Sequence, residues 1–184
     1  MSKESSHHEE ILKKRARELA RPLEEAEEHR LDLERFVIFK RGREFYGLRA
    51  TLIQGVYPLL DKRYSRIPGV ADFIFGIANI RGKLYSLIDI ARFLEQPSTS
   101  TPDKVYVIIV QVKSPPSDMT KEVGIIADNL PRLEAVDMST VTEPEGIEIP
   151  VTRDCIIGLT RNMEVMVDVE RFLSIPELII EQII

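Results

Sequence analysis

The sequence predicts a mostly β fold: two small related β units packed together, with helices at the N- and C-terminal ends. Three observations carry this expectation. First, a phrase occurs twice, as GIANIRGKLYSLIDIARFL over residues 76–94 and as GLTRNMEVMVDVERFL over residues 158–173. Both copies open on glycine plus an aliphatic residue and close on Asp-[Ile/Val]-x-Arg-Phe-Leu, Asp89 to Leu94 and Asp168 to Leu173. Upstream, Phe36-Val37-Ile38-Phe39 with Gly47-Leu48 is echoed by Val107-Ile108-Ile109-Val110 with Gly124-Ile125, so the repeat runs through both halves. Second, short β-branched and aromatic runs alternate with Gly and Pro turn signals, about nine strands in all, the pattern of small barrels or a sandwich. Third, each half is too short to bury an adequate core alone, so the two must share an interface.

The elements follow in chain order. Residues 1–34 form a charged helical arm. The first 35 residues hold ten acids and eight bases. Ser6 and Glu9 have capping-box spacing, and Leu12, Ala16, Leu19 and Leu23 then mark one face of a helix that Pro22 ends or kinks. Two readings fit this arm: a solvated helix packed on the body, or a narrow apolar stripe that docks a partner helix. The body, residues 35–184, divides into repeat halves of about 36–95 and 104–174. Arg35 to Phe39 and Glu44 to Arg49 read as a hairpin around Arg41-Gly42. Phe73 to Ile80 and Lys83 to Ile90 make a second around Arg81-Gly82, and Ala91 to Glu95 turns briefly helical. Pro97 to Pro102 is a linker. Val105 to Val112, Glu122 to Asp128, Arg132 to Asp137, Ile156 to Thr160 and Val165 to Val169 are the strands of the second half, and Pro176 to Ile183 is a closing helix. The aliphatic strands Val105 to Val110 and Val165 to Val169 are expected to be buried on both faces.

Composition limits the function. Apolar residues make up 43% and charged residues 30%, as in a folded soluble domain. A net charge of −5, with no basic patch interleaved with aromatics, argues against nucleic acid as a partner. The longest apolar run, Val105 to Val110, is six residues, far short of the ~20 that span a bilayer, so no membrane insertion is expected. The single cysteine, Cys155, and an N-terminus without an apolar leader point to the cytoplasm.

Catalysis finds little to work with. The histidines, His7, His8 and His29, all precede the β body, so no Ser-His-Asp or Cys-His arrangement can form inside it. Cys155 opens an apolar strand and reads as a buried hydrophobe. No phosphate-cradling glycine motif or zinc-ligand spacing is present, and no cofactor or metal is expected. Asp89 and Asp168 stand where a strand becomes a helix and are read as N-caps. Arg81 differs. It sits on a tight turn, Asn79-Ile80-Arg81-Gly82, where Gly82 can take a positive φ and Asn79 can bond backbone, and it offers a planar fork of donors. It either pairs with a carboxylate of its own chain or anchors another protein.

Residues 35–174 resemble the CheW-like domain of bacterial chemotaxis coupling proteins. The matching segments are Phe36-Val37-Ile38-Phe39…Tyr46-Gly47-Leu48, Ile67-Pro68…Phe73 to Gly82, and Leu84…Leu87-Ile88-Asp89-Ile90. Val123 to Asp128 and Ile157-Gly158-Leu159…Val167-Asp168 continue the match, and Asn-x-Arg-Gly…Asp-[Leu/Ile] is its specific part. The resemblance implies two five-stranded Src-homology-3-like barrels around a shared core. It implies a non-catalytic adaptor joining the cytoplasmic hairpin tips of chemoreceptors to the regulatory domain of a CheA-like histidine kinase. It places partner contacts at Arg81 and Ile53, with Gln54, Asn79 and Gly82 beside them. The chain departs from the family pattern at Gly55, where an acid is usual, at Ser86, where proline is usual, and in its longer arm. The alternatives are a ligand-binding sensory module, with a small molecule between the barrels, or the adaptor of a divergent array that governs pili or another output.

Overall fold

Period-2 burial along short strands produces two curled sheets. The computed structural model describes residues 32–59, 64–95, 105–114, 119–143 and 153–175; the arm helix and the closing helix lie outside the described residues. Eleven strands run in chain order: β1 (Leu33–Arg41), β2 (Glu44–Arg49), β3 (Ile53–Leu59), β4 (Tyr64–Ser65), β5 (Ile74–Ile80), β6 (Lys83–Ile88), β7 (Val105–Ser114), β8 (Met119–Ala127), β9 (Arg132–Asp137), β10 (Ile156–Leu159) and β11 (Val165–Val167). Two one-turn helices follow β6 and β11: α1 (Ile90–Phe93) and α2 (Val169–Phe172).

The sheet orders are β9-β1-β2-β11-β10 and β3-β7-β8-β6-β5-β4. Each sheet therefore draws strands from both halves of the repeat. The hairpin β1–β2 is inserted between β9 and β11 of the second half, and β7–β8 between β3 and β6 of the first. The exchange is symmetric down to direction, since both hairpins are antiparallel within and parallel to their last neighbour, β2 to β11 and β8 to β6. Only β4, two residues long, has no counterpart among the described strands.

The repeated phrase has a repeated structure. Asp89 accepts a hydrogen bond from the Arg92 amide at 3.4 Å and Asp168 from the Arg171 amide at 3.0 Å, so both cap a helix as expected. The ladder shifts register at the glycine of each copy, between Ile74 and Gly76 and between Ile156 and Gly158. A methyl on either glycine would meet a neighbouring carbonyl, 2.5 Å from Ser65 O at Gly76 and 2.7 Å from Thr142 O at Gly158. The phenylalanines of the two hexapeptides meet across the pseudo-symmetry, with Phe93 and Phe172 edge to face at 4.5 Å between centroids.

Between the sheets lies one shared cluster, which includes Phe39, Tyr46, Leu48, Ile88, Ile125, Phe93 and Phe172. β7 shows why no half stands alone. Its Ile108, Val110 and Val112 enter the shared cluster, while Val105, Val107 and Ile109 fill the interior of their own sheet with Leu59, Phe75 and Leu87. The first sheet has its own smaller interior, Phe36, Ile38, Val136 and Met166. Val167 of β11 faces the shared cluster and Met166 the smaller one, so this strand is also buried on both sides.

The structure corrects the reading of the first hairpin. Its turn is Gly42-Arg43; Arg41 ends β1 and is 2% exposed. The guanidinium reaches Asp89 at 2.5 Å and Asp128 at 2.6 Å, both in the second sheet's half of the molecule. Asp128 also accepts from the Gly42 amide at 2.7 Å, and its own amide donates to Lys40 O at 2.8 Å. These bonds pin the β1–β2 tip of one sheet to the ends of β6 and β8 of the other. β3 and β4 were not anticipated: Gly55 and Pro58 interrupt β3, which lies at the edge of its sheet, where a residue without an N–H is tolerated.

Candidate partner-binding surface

The tip of the β5–β6 hairpin is a two-residue turn with positive φ at both central positions, 54° at Arg81 and 88° at Gly82. Glycine adopts this conformation at no steric cost; arginine does not, so the surrounding structure must hold it there. The Gly82 amide donates to Asn79 Oδ1 at 2.9 Å and fixes the turn from inside. Arg81 then extends across the end of the sheet, with its Cζ 4.9 Å from the centroid of the Tyr57 ring on β3. Stacking on an aromatic face satisfies the plane of a guanidinium and leaves its edge N–H groups available. Asn79, Arg81, Gly82 and Leu84 are all exposed, Leu84 at 68%. An exposed donor fork on a rigid turn is the composition of an interface anchor.

The carboxylate nearest in chemistry is already engaged. Glu122 of β8 accepts from Lys83 Nζ at 2.5 Å and from Gln111 Nε2 at 3.0 Å. The Lys83 hydrogen bond holds the Glu122 carboxyl below its usual range and raises the Lys83 ammonium in turn. Lys83 also lies 5.5 Å from the Tyr85 ring. Tyr57, Tyr85, Lys83, Gln111 and Glu122 thus cover the open end of the second sheet's interior, with Arg81 outermost.

The corresponding end of the first sheet has a different outcome. There Arg132 lies over the Phe45 ring at 5.4 Å but is also bound to Glu164 at 2.5 Å. Glu164 is 2% exposed and accepts a further bond from the Thr160 hydroxyl at 2.9 Å. One end of the molecule closes its arginine with an internal carboxylate; at the other end Arg81 lies over an aromatic ring.

The remaining expected site residues are placed as follows. Ile53 starts β3 and packs against the shared cluster beside Val56, whereas Tyr57 packs on the interior of its own sheet. The register shift between Ile53 and Gly55 produces this change of face. Arg81, Asn79 and Gly82 are thus brought together, and Ile53 lies across the strand from them. Gln54 is exposed at the bulge. Tyr57, Leu84 and Glu122 were missed by sequence reasoning. Tyr57 and Glu122 reach Arg81 and Lys83 only through strand pairing, and no local pattern marks them.

Of the other groups considered for chemistry, Cys155 is buried, and burial followed by the charge of Asp168 pushes its thiol up to about 11. Asp89 and Asp168 are occupied as caps. The histidines lie outside the described residues. Among the described residues no group of three or more His, Cys, Asp or Glu side chains is placed to hold a metal ion, and no helix is long and apolar enough to cross a membrane.

Comparison with known proteins agrees with this architecture. The model of the CheW-like domain family matches residues 35–177. The chain is 25% identical over 146 residues to a chemotaxis protein CheW of Klebsiella aerogenes, covering 78% of this chain and 83% of that protein. It is 28% identical over 121 residues to a chemotaxis protein CheW of Bacillus subtilis, covering 62% and 69%. Among solved structures, the scaffolding protein TtCheW from Thermoanaerobacter tengcongensis superposes with a TM-score of 0.62 at 20% identity, over 78% of this chain and 90% of that one.

Proposed function

The chain belongs to the CheW-like domain family, and on that footing we propose that it is a non-catalytic adaptor coupling chemoreceptors to a CheA-like histidine kinase. It would hold the cytoplasmic hairpin tip of a receptor and the regulatory domain of the kinase in one lattice, so that receptor conformation biases kinase activity. The observation that carries this reading is Arg81: exposed, fixed on a turn with positive φ, and held over the Tyr57 ring. Arginine anchors of this kind dominate interface energetics, and the overall charge of −5 is secondary to them. The helix-capping role of Asp89 and Asp168 and the buried, high-pKa thiol support this non-catalytic reading. A ligand-binding module is the weaker reading. It needs a pocket of roughly 300–1,000 Å³, and the groove lined by Arg66, Ile67, Val70, Asp72, Phe75 and Arg92 encloses about 130 Å³.

Calorimetric titration with the cognate CheA-like regulatory domain tests the adaptor assignment, and absence of heat at high micromolar concentration would sink it. Titration with a soluble receptor cytoplasmic fragment tests the anchor. Arg81→Ala is expected to cost about 2 kcal/mol of binding with an unchanged melting temperature, because the side chain is exposed in the free protein.

A further inference from the structure

We propose that Tyr57 is the positioning residue for Arg81, and that the pair presents the arginine edge-on to a carboxylate on the partner; this rests on the docking role of the β5–β6 tip. Four observations lead there. The guanidinium carbon lies 4.9 Å from the Tyr57 ring centroid, within cation–π range. The ring itself is seated by the chain: a Cβ on Gly55 would stand 2.8 Å from Tyr57 Oη and 2.9 Å from Cε2, so the tyrosine occupies the space a side chain at position 55 would fill. Glu122, the acid that lines the same end of the sheet, is held by Lys83 and Gln111 and is thereby kept from neutralising Arg81. Finally, the turn gives Arg81 a φ of 54°, which fixes the direction in which its side chain leaves the backbone.

The consequence is chemical. With its guanidinium carbon held over the ring, the strongest further interaction open to Arg81 is with a carboxylate, which two parallel N–H groups match in the guanidinium plane. The fitting partner surface therefore carries an acidic side chain opposite the tip. Tyr57 touches no partner in this scheme. It acts by removing the rotamer freedom that Arg81 would otherwise lose on binding, a cost of the order that separates anchors from bystanders.

The test is a double-mutant cycle in the full chain, with affinity for the soluble receptor cytoplasmic fragment and melting temperature measured on the same samples. Tyr57→Phe keeps the ring and is expected to bind within about twofold of the parent, whereas Tyr57→Leu keeps the apolar volume but loses the π face and weakens binding about three- to tenfold. Gly55→Ala, which displaces the ring, gives a loss of similar size. In an Arg81→Ala background Tyr57→Leu has no further effect on binding. If Tyr57→Leu weakens binding equally with and without Arg81, the tyrosine contacts the partner directly and the positioning role is wrong. If Tyr57→Phe is as weak as Tyr57→Leu, the hydroxyl and not the ring is responsible, and the proposal fails. Should Arg81→Ala itself bind normally, the docking role of the tip fails first and the role of Tyr57 goes with it.

Discussion

Replacing Arg41 with methionine removes the cation that joins the two sheets and leaves both of its carboxylates in place. Asp89 is fully buried and Asp128 is 10% exposed, so neither recovers hydration when its partner is lost. Breaking a buried pair from one side costs about 3–5 kcal/mol, because a buried charge loses its main partner; Asp89 keeps only the partly exposed Arg92 at 3.3 Å. For a domain of this size each kcal/mol lowers the melting temperature by about 2–4 °C, which gives a fall of about 6–20 °C. Circular dichroism melts and urea titrations at neutral pH measure it. The argument also predicts a rescue. Asp89→Asn in the Arg41→Met background removes the more deeply buried charge, which otherwise keeps only Arg92, while Asp128 retains the Gly42 amide at 2.7 Å. The double variant should therefore regain at least half of the loss. A single variant that melts within about 2 °C of the parent would refute the reasoning and make Arg41 an incidental contact.

Deletion of residues 1–30 is expected to leave a single cooperative unfolding transition, since β1 begins at Leu33 and the described residues from there on already form clusters between and within the sheets; loss of that transition would move the arm into the core. Cys155, with a thiol pushed up to about 11 by burial, should resist alkylation at pH 7 in the folded chain and react fully in denaturant. Its sign is that of a raised acid: the unfolded thiol ionises first, so stability falls as pH rises above the ordinary cysteine value. Fast native labelling would contradict the burial.

Much of this fold was legible because it is written in local patterns. Asp-x-x-Arg-Phe-Leu encodes a cap, one helical turn and a buried ring, and the structure delivers that unit twice, with Phe93 against Phe172. The alternation of β7, apolar on both faces, announced a strand between two cores. The strand exchange was not legible for a related reason. The two halves carry the same pattern, so either hairpin satisfies the local preferences of either sheet, and only long-range packing chooses. Arg41 was hidden in the same way. It looked like a turn residue, and its burial depends on Asp89 and Asp128, 48 and 87 residues away in sequence. At the surface, Asn79, Arg81 and Gly82 could be read from turn chemistry. Tyr57 could not, because Gly55 and Pro58 concealed the strand that carries it.

The exchange bears directly on what an adaptor of this kind can do. Separating the two repeat halves of the chain would require breaking β1 from β9, β2 from β11, β7 from β3 and β8 from β6, in addition to opening the shared cluster. Neither half can part from the other without dismantling both sheets, and the shared cluster joins the sheets to each other, so the two barrels behave as one body. Arg41 adds a charge-assisted lock at the point where one hairpin tip crosses to the other sheet. A molecule built in this way can register two partners relative to each other at low conformational cost, because nothing between the two surfaces needs to be ordered on binding. Flexibility is then left to the partners, and the adaptor contributes a fixed spacing. Under the proposed function that is its role: a receptor that shifts against Arg81 moves the kinase docked elsewhere on the same rigid frame.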